Sequence, residues 1–212
     1  ANLPRPWLAV LVGGDSGRFV MTGEKGRRLG SLSADLATAA GGSVLLTDSA
    51  RTPRAVGDAL QSQLNVPNLC YRWGGGGDNP YQGLLALADA FVVTGESMSM
   101  LGEVVDTGRP LYIFDVGDGA APWWTLPHSY RYKPLSHHLA MRFGPSRMRR
   151  DIGNIQNTLV RDSGARWLDS SMIHAAADSL RATIASPSSQ GSGSVAHNEL
   201  KLAAQAVRQL VI

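Results

Sequence analysis

The chain has 212 residues, 43% of them hydrophobic, a formal charge of +3 and a single cysteine. That size and composition suit one globular domain of ordinary size with an appendage. One cysteine excludes an internal disulfide and any multi-cysteine zinc site, and no apolar run approaches the ~20 residues that span a bilayer.

In chain order, Trp7 to Gly14 is a continuous apolar run ending in glycine, the pattern of a buried parallel strand. Leu29, Leu32 and Leu36 then stand at helical spacing, and Gly41-Gly42 ends that helix. "SVLLTD" reads as the second strand. "TPRAVGDALQSQL" reads as a helix with Thr52 as N-cap and Pro53 at its first position. "NLCYRW" is a third strand, and Asn79-Pro80 opens a short helix. Cys70 sits in that third strand, where a buried inert thiol is the expectation. "AFVVTG" and "PLYIF" are the fourth and fifth strands, with the helical "SMSMLGEVVDTG" between them. Such alternation predicts an α/β fold, a doubly wound parallel sheet of Rossmann-like type with helices on both faces.

Beyond Phe114 the pattern loosens. "PLSHHLAMRF", "RRDIGNIQNTLVRD" and "SMIHAAADSLRATIA" read as helices, with "RWL" as a short edge strand. The expected organisation is a domain over 1–185, a linker over 186–194 ("SPSSQGSGS") and a C-terminal helix over 195–212. Leu200, Ala203, Val207 and Leu210 form the apolar stripe of that last helix. The chain starts at Ala1 without a signal-peptide pattern, so a fragment or a processed product, with a preceding portion missing, is one expectation.

In doubly wound sheets ligands bind at the carboxyl ends of the strands. Three loops on that rim carry candidate site residues. In "GGDSGRF", Gly13 and Gly14 let backbone amides approach an anion, and Ser16 and Arg18 add donors. The loop is neither GxGxxG nor a P-loop, and a tight strand-to-helix turn explains it equally well. "WGGGGDNPY" has four consecutive glycines, with Trp73 or Tyr81 able to stack on a base; a flexible loop with core aromatics is the plainer alternative. In "TGESMSMLGE", Gly95 frees the backbone, Glu96 adds a carboxylate, and Ser97 or Ser99 is a candidate N-cap that aims a helix dipole at the crevice. Glu103, one turn on, can accept from two ribose hydroxyls, against the alternative of a solvated helix face. Met98 and Met100 read as core packing.

Metal chemistry has little support. Asp115 and Asp118 match no strong motif, and the adjacent His137 and His138 diverge on a helix. No metal ligand, cofactor or catalytic residue is assigned, and there is no nucleophile elbow. Between Asp118 and Asp151 the chain is basic, with Arg131, Lys133, Arg142, Arg147, Arg149 and Arg150. This interval is either a solvated face or a surface for phosphate, anionic lipid or an acidic partner. No recognisable module supports specific nucleic-acid binding. A cytoplasmic location, peripheral to a membrane if the basic interval binds lipid, fits the cysteine usage.

"NPYQGLLALADAFVVTGESMSMLGEVVDTGRPLYIF", "LVGGDSGRF" and "TDSARTP" together resemble the mitochondrial-fission (elongated mitochondria) protein family, from about Trp7 to Phe114. That family is similar to the C-terminal half of GT-B glycosyltransferases. The resemblance implies a nucleotide-sugar of UDP or GDP type as substrate, metal-independent chemistry, and a second GT-B domain as partner. It implies phosphate at Gly13, Gly14 and Ser16, ribose at Glu103 within the pattern completed by Gly108 and Pro110, and base near Trp73. The sequence departs from the commonest glycosyltransferase turn at "GESMSM". Two other functions remain open at this stage: a non-catalytic fission-type interaction protein at a membrane surface, and a nucleotide-sugar epimerase of GT-B fold.

Overall fold

The computed structural model describes residues 2–16, 19–117, 143 and 152–185. Strands β1 (Trp7–Leu11), β2 (Ser43–Thr47), β3 (Asn68–Tyr71), β4 (Ala90–Thr94), β5 (Leu111–Phe114) and β6 (Arg166–Trp167) form one sheet in the order β3-β2-β1-β4-β5-β6. Every pairing is parallel. The order reverses between β1 and β4, which opens a switch point at their carboxyl ends.

Alternation along each strand sends side chains to two cores. Leu8, Val10, Val44, Leu46 and Val92 pack beneath α1 (Gly23–Ala40), α2 (Arg54–Gln61) and the last described helix, α6 (Ile173–Ala185). Ala9, Leu11, Leu45, Phe91 and Val93 pack against α3 (Tyr81–Leu87), α4 (Met98–Asp106) and α5 (Ile152–Asp162). The sheet is thus doubly wound, as its continuous apolar strands predict. The edge strand expected at "RWL" is the two-residue β6, paired with β5.

Helix ends follow their chemistry. Thr22 caps α1 by accepting the Lys25 amide at 3.3 Å, and Gly41, at φ 72°, closes it in the left-handed region. The expectation of Thr52 as the cap of α2 is corrected. Pro53 is the cap residue, with no side-chain cap, and the Thr52 hydroxyl donates instead to the carbonyls of Val12, at 3.2 Å, and Gly13. A buried carbonyl next to the first strand is the stronger acceptor site, because left alone it would carry the full desolvation cost.

Met98 and Met100 are partly buried against the second core, as expected of packing residues. Cys70 is half-buried, and burial pushes its thiol up to about 11, consistent with an inert thiol. The "PLSHHLAMRF" helix apart from Phe143, the linker over 186–194 and the C-terminal helix over 195–212 lie outside the described residues. Among the described residues no helix is long and apolar enough to cross a membrane.

Candidate functional site

The carboxyl rim of the sheet holds two different places: a closed hydrogen-bonded turn at the switch point and an open cleft beside it.

The closed turn joins β1 to β4. The Gly13 amide donates to Thr94 Oγ1 at 2.8 Å, and the Thr94 hydroxyl donates to Glu96 Oε1 at 3.1 Å. The Gly14 amide donates to the same Glu96 oxygen at 2.7 Å. A side chain on Gly13 would place its Cβ 1.9 Å from that oxygen, so glycine is required for the carboxylate to lie here. Gly14 is required by a second approach: a Cβ there would meet the Arg51 carbonyl oxygen at 2.2 Å. Ser49 Oγ donates to the Gly13 carbonyl at 2.9 Å, tying in the loop after β2.

Glu96 is 3% exposed and Ser97 2%. Glu96 Oε2 and Ser97 Oγ have no hydrogen-bond partner among the described residues. Burial raises the pKa of Glu96, against the opposing pull of the Gly14 and Glu96 amides, the Thr94 hydroxyl and the Arg51 charge. Lys25, at the start of α1, donates to the carbonyls of Val20 at 3.1 Å and Val116 at 2.5 Å. Burial lowers its pKa, while the charges of Asp115, Glu96 and Asp15 act the other way. Asp15, itself buried, accepts the Met21 amide at 3.0 Å.

The other residues expected on this rim divide. Gly95 donates its amide to Phe114 and accepts Gln156 Nε2 at 2.7 Å; a Cβ there would meet Gln156 Nε2 at 2.5 Å. Ser16 pairs its backbone with Phe19 in a tight turn. Ser97 is the N-cap residue of α4, but its hydroxyl makes no cap hydrogen bond. Arg18, Asp118 and the basic interval from Arg131 to Arg150 lie outside the described residues. Asp115 accepts the Gly117 amide at 2.7 Å, and no group of three metal-ligating side chains occurs among the described residues.

The open cleft lies over the carboxyl ends of β2 and β3 and the first turns of α4. It measures about 230 Å³ and is lined by Thr47, Asp48, Ser49, Trp73, Asn79, Tyr81, Ser99, Met100 and Glu103. Ser99 and Glu103 are four residues apart on one helix face, so both side chains reach it. Trp73, 52% exposed, offers a stacking face. The Tyr81 hydroxyl is buried beside the Glu103 carboxylate without reaching hydrogen-bond geometry with it. Burial, then Glu103, raises the Tyr81 pKa.

Asp48, which the sequence reading did not single out, builds the wall. It is buried, accepts the Trp73 amide at 2.5 Å and pairs with Arg72 Nε at 2.6 Å. Arg72 also reaches Asp58 at 2.8 Å and the Arg54 carbonyl at 3.0 Å. Gly57 makes room for this guanidinium, since a Cβ there would lie 2.1 Å from Arg72 Nη2. A glycine inside an amphipathic helix was the available sign. On the far side of Trp73 a second cleft of about 630 Å³ runs along α2 to Gln61.

A six-stranded parallel sheet of this order, with an open cleft at its carboxyl rim beside the switch point, defines a Rossmann-like domain. A model of the family described as "Mitochondrial fission ELM1" matches residues 1–129. The chain belongs to the mitochondrial fission ELM1 family. It is 37% identical over 124 residues to the mitochondrial fission protein ELM1 of Arabidopsis thaliana, covering 58% of this chain and 28% of that protein. It is 29% identical over 112 residues to the uncharacterized protein RP120 of Rickettsia prowazekii (strain Madrid E), covering 52% of this chain and 32% of that protein. The chain thus spans less than a third of the length of these curated relatives. Similar solved structures include the glycosyltransferase VinC in complex with DTDP, at TM-score 0.40 and 16% identity over 97% of this chain and 37% of that one. Os79 from O. sativa in complex with UDP gives TM-score 0.36 and 18% identity, over 96% of this chain and 41% of that one.

Proposed function

We propose that the chain is a glycosyltransferase-like, GT-B-type domain whose cleft takes the nucleoside part of a nucleotide-sugar of UDP or GDP type. The observation that supports this best is the meeting of Trp73, Ser99 and Glu103 in one open cleft. Trp73 comes from the loop after β3, and Ser99 and Glu103 from α4. Trp73 stacks on the base, an interaction worth ~1–3 kcal/mol. Glu103 accepts from the two ribose hydroxyls, and Tyr81 beside it limits where its carboxylate can lie.

The first-turn amides of α4 have no side-chain cap, and Ser99 stands among them. The outer phosphate meets them there, with the positive end of the helix dipole behind it. If transfer occurs, the same amides stabilise the departing nucleoside diphosphate without a metal. A second GT-B-type domain would supply the acceptor side. Calorimetric titration with UDP, GDP, ADP and dTDP and their sugars tests the reading. Saturable binding of one nucleotide, weakened by Glu103→Ala, supports it; binding unaffected by Glu103→Ala contradicts the ribose assignment.

Family membership favours a second reading, an interaction protein of the fission type acting at a membrane surface. Its surface would be the basic interval containing Arg147, Arg149 and Arg150. Salt-sensitive binding to anionic vesicles, lost when these three arginines become glutamate, would favour it over the nucleotide reading.

A further inference from the structure

The Gly13–Gly14 turn has the makings of a phosphate seat. Two consecutive glycine amides point into the switch point, and the N-terminus of α4 faces the same place from β4. Arg51 and Lys25 bring positive charge to it, and both interact electrostatically with Glu96. Yet the seat is already taken. Glu96 Oε1 holds the Gly14 amide directly and the Gly13 amide through Thr94. Its second oxygen and the neighbouring Ser97 hydroxyl are buried without partners among the described residues. Two unmet polar atoms in one buried place are costly, and a carboxylate so placed is a built feature rather than filler.

We propose that Glu96 is a specificity-determining residue: its carboxylate fills the inner phosphate seat, so the site selects a nucleotide by its nucleoside and gains little from added phosphates. The proposal rests on the nucleotide reading for its ligand. A free phosphate entering this seat would have to displace a carboxyl group held by a glycine amide and a threonine hydroxyl. Phosphates therefore stay at the outer position, near Ser99.

The test compares uridine with UDP and guanosine with GDP, by calorimetry, on the parent chain and on Glu96→Ala. In the parent, diphosphate and nucleoside affinities should differ by less than about tenfold. In Glu96→Ala the vacated seat, with the Gly14 amide and the Thr94 hydroxyl free, should favour the diphosphate by about tenfold or more, the size of one or two charge-assisted hydrogen bonds. Nucleoside affinity should not change. A parent that already prefers the diphosphate tenfold or more overturns the proposal. So does a folded Glu96→Ala that gains no such preference. Should Glu96→Ala fail to fold, Glu96→Ser is measured in its place.

A separate arm uses inorganic pyrophosphate and thermal melting. Pyrophosphate should raise the melting temperature of the Glu96 variant and leave the parent unmoved. If neither chain binds any nucleoside or nucleotide, the nucleotide reading fails, and this arm alone decides the seat. A variant not stabilised by pyrophosphate would then overturn the proposal as well.

Discussion

Glu96 Oε1 accepts the Gly14 amide at 2.7 Å across 82 residues of chain, and so locks the loop after β1 to the loop after β4. This bond spans the point where strand order reverses, which in such sheets is the mouth of the ligand crevice. The turn is closed there, and the open cleft lies toward β2 and β3.

Burial raises the Glu96 pKa above its ordinary value, so its effect on stability has a definite sign. A carboxyl with a higher pKa when folded favours the folded state at low pH, and that contribution is lost as pH rises through the folded value. Relative to Glu96→Gln, the parent should lose stability as pH climbs above the ordinary carboxyl range. Melting temperatures of both chains between about pH 5 and pH 8 check this. A constant difference across that window would show that Glu96 keeps an ordinary pKa.

Arg72 neutralises a buried carboxylate, and removing it should be expensive. Arg72→Ala leaves Asp48 unpaired and should cost about 2–3 kcal/mol in urea unfolding, toward the low end for a buried pair because Arg72 itself is partly exposed. Gly57→Ala should lose part of the same stabilisation by pushing the guanidinium off Asp48 and Asp58. A neutral result for both would mean that the Asp48–Arg72 contact contributes nothing net.

Gly95 is a packing glycine. Gly95→Ala puts a methyl group 2.5 Å from Gln156 Nε2 and 3.1 Å from the Phe114 carbonyl oxygen. The chain should lose about 1–3 kcal/mol, typical of overpacking. Denaturant melts report it, and an unchanged midpoint would show that α5 can shift at no cost.

The Cys70 thiol, pushed up to about 11, should be almost wholly protonated near neutral pH. Reaction with an aromatic disulfide reagent at pH 8 should be much slower in the folded chain than in urea. Equal rates would mean the thiol is neither buried nor shifted.

The strands and their order of appearance were legible because each is a short continuous apolar run between glycines or polar turns. The cleft was partly legible: Trp73 ends the third apolar run, and Ser99 and Glu103 share a helix face at known spacing. Other features were hidden because they depend on contacts between distant segments. Gly13 and Gly14 looked free for a ligand, but their lack of a side chain is what lets Glu96 and the Arg51 backbone approach so closely. Thr52 looked like a cap, but its hydroxyl is drawn to carbonyls about 40 residues away, those of Val12 and Gly13. Asp48 ends the second apolar run, yet only the fold brings it to Arg72 and the Trp73 amide.

The most direct measurement is calorimetric titration of the parent chain with the four nucleotides, repeated with Trp73→Ala and Glu103→Ala. Saturable binding of one nucleotide is the predicted result, weakened about tenfold or more by each substitution, consistent with ~1–3 kcal/mol per stacked base. A folded chain that binds none of them, or binds one equally well without Trp73 and Glu103, would contradict the nucleoside cleft.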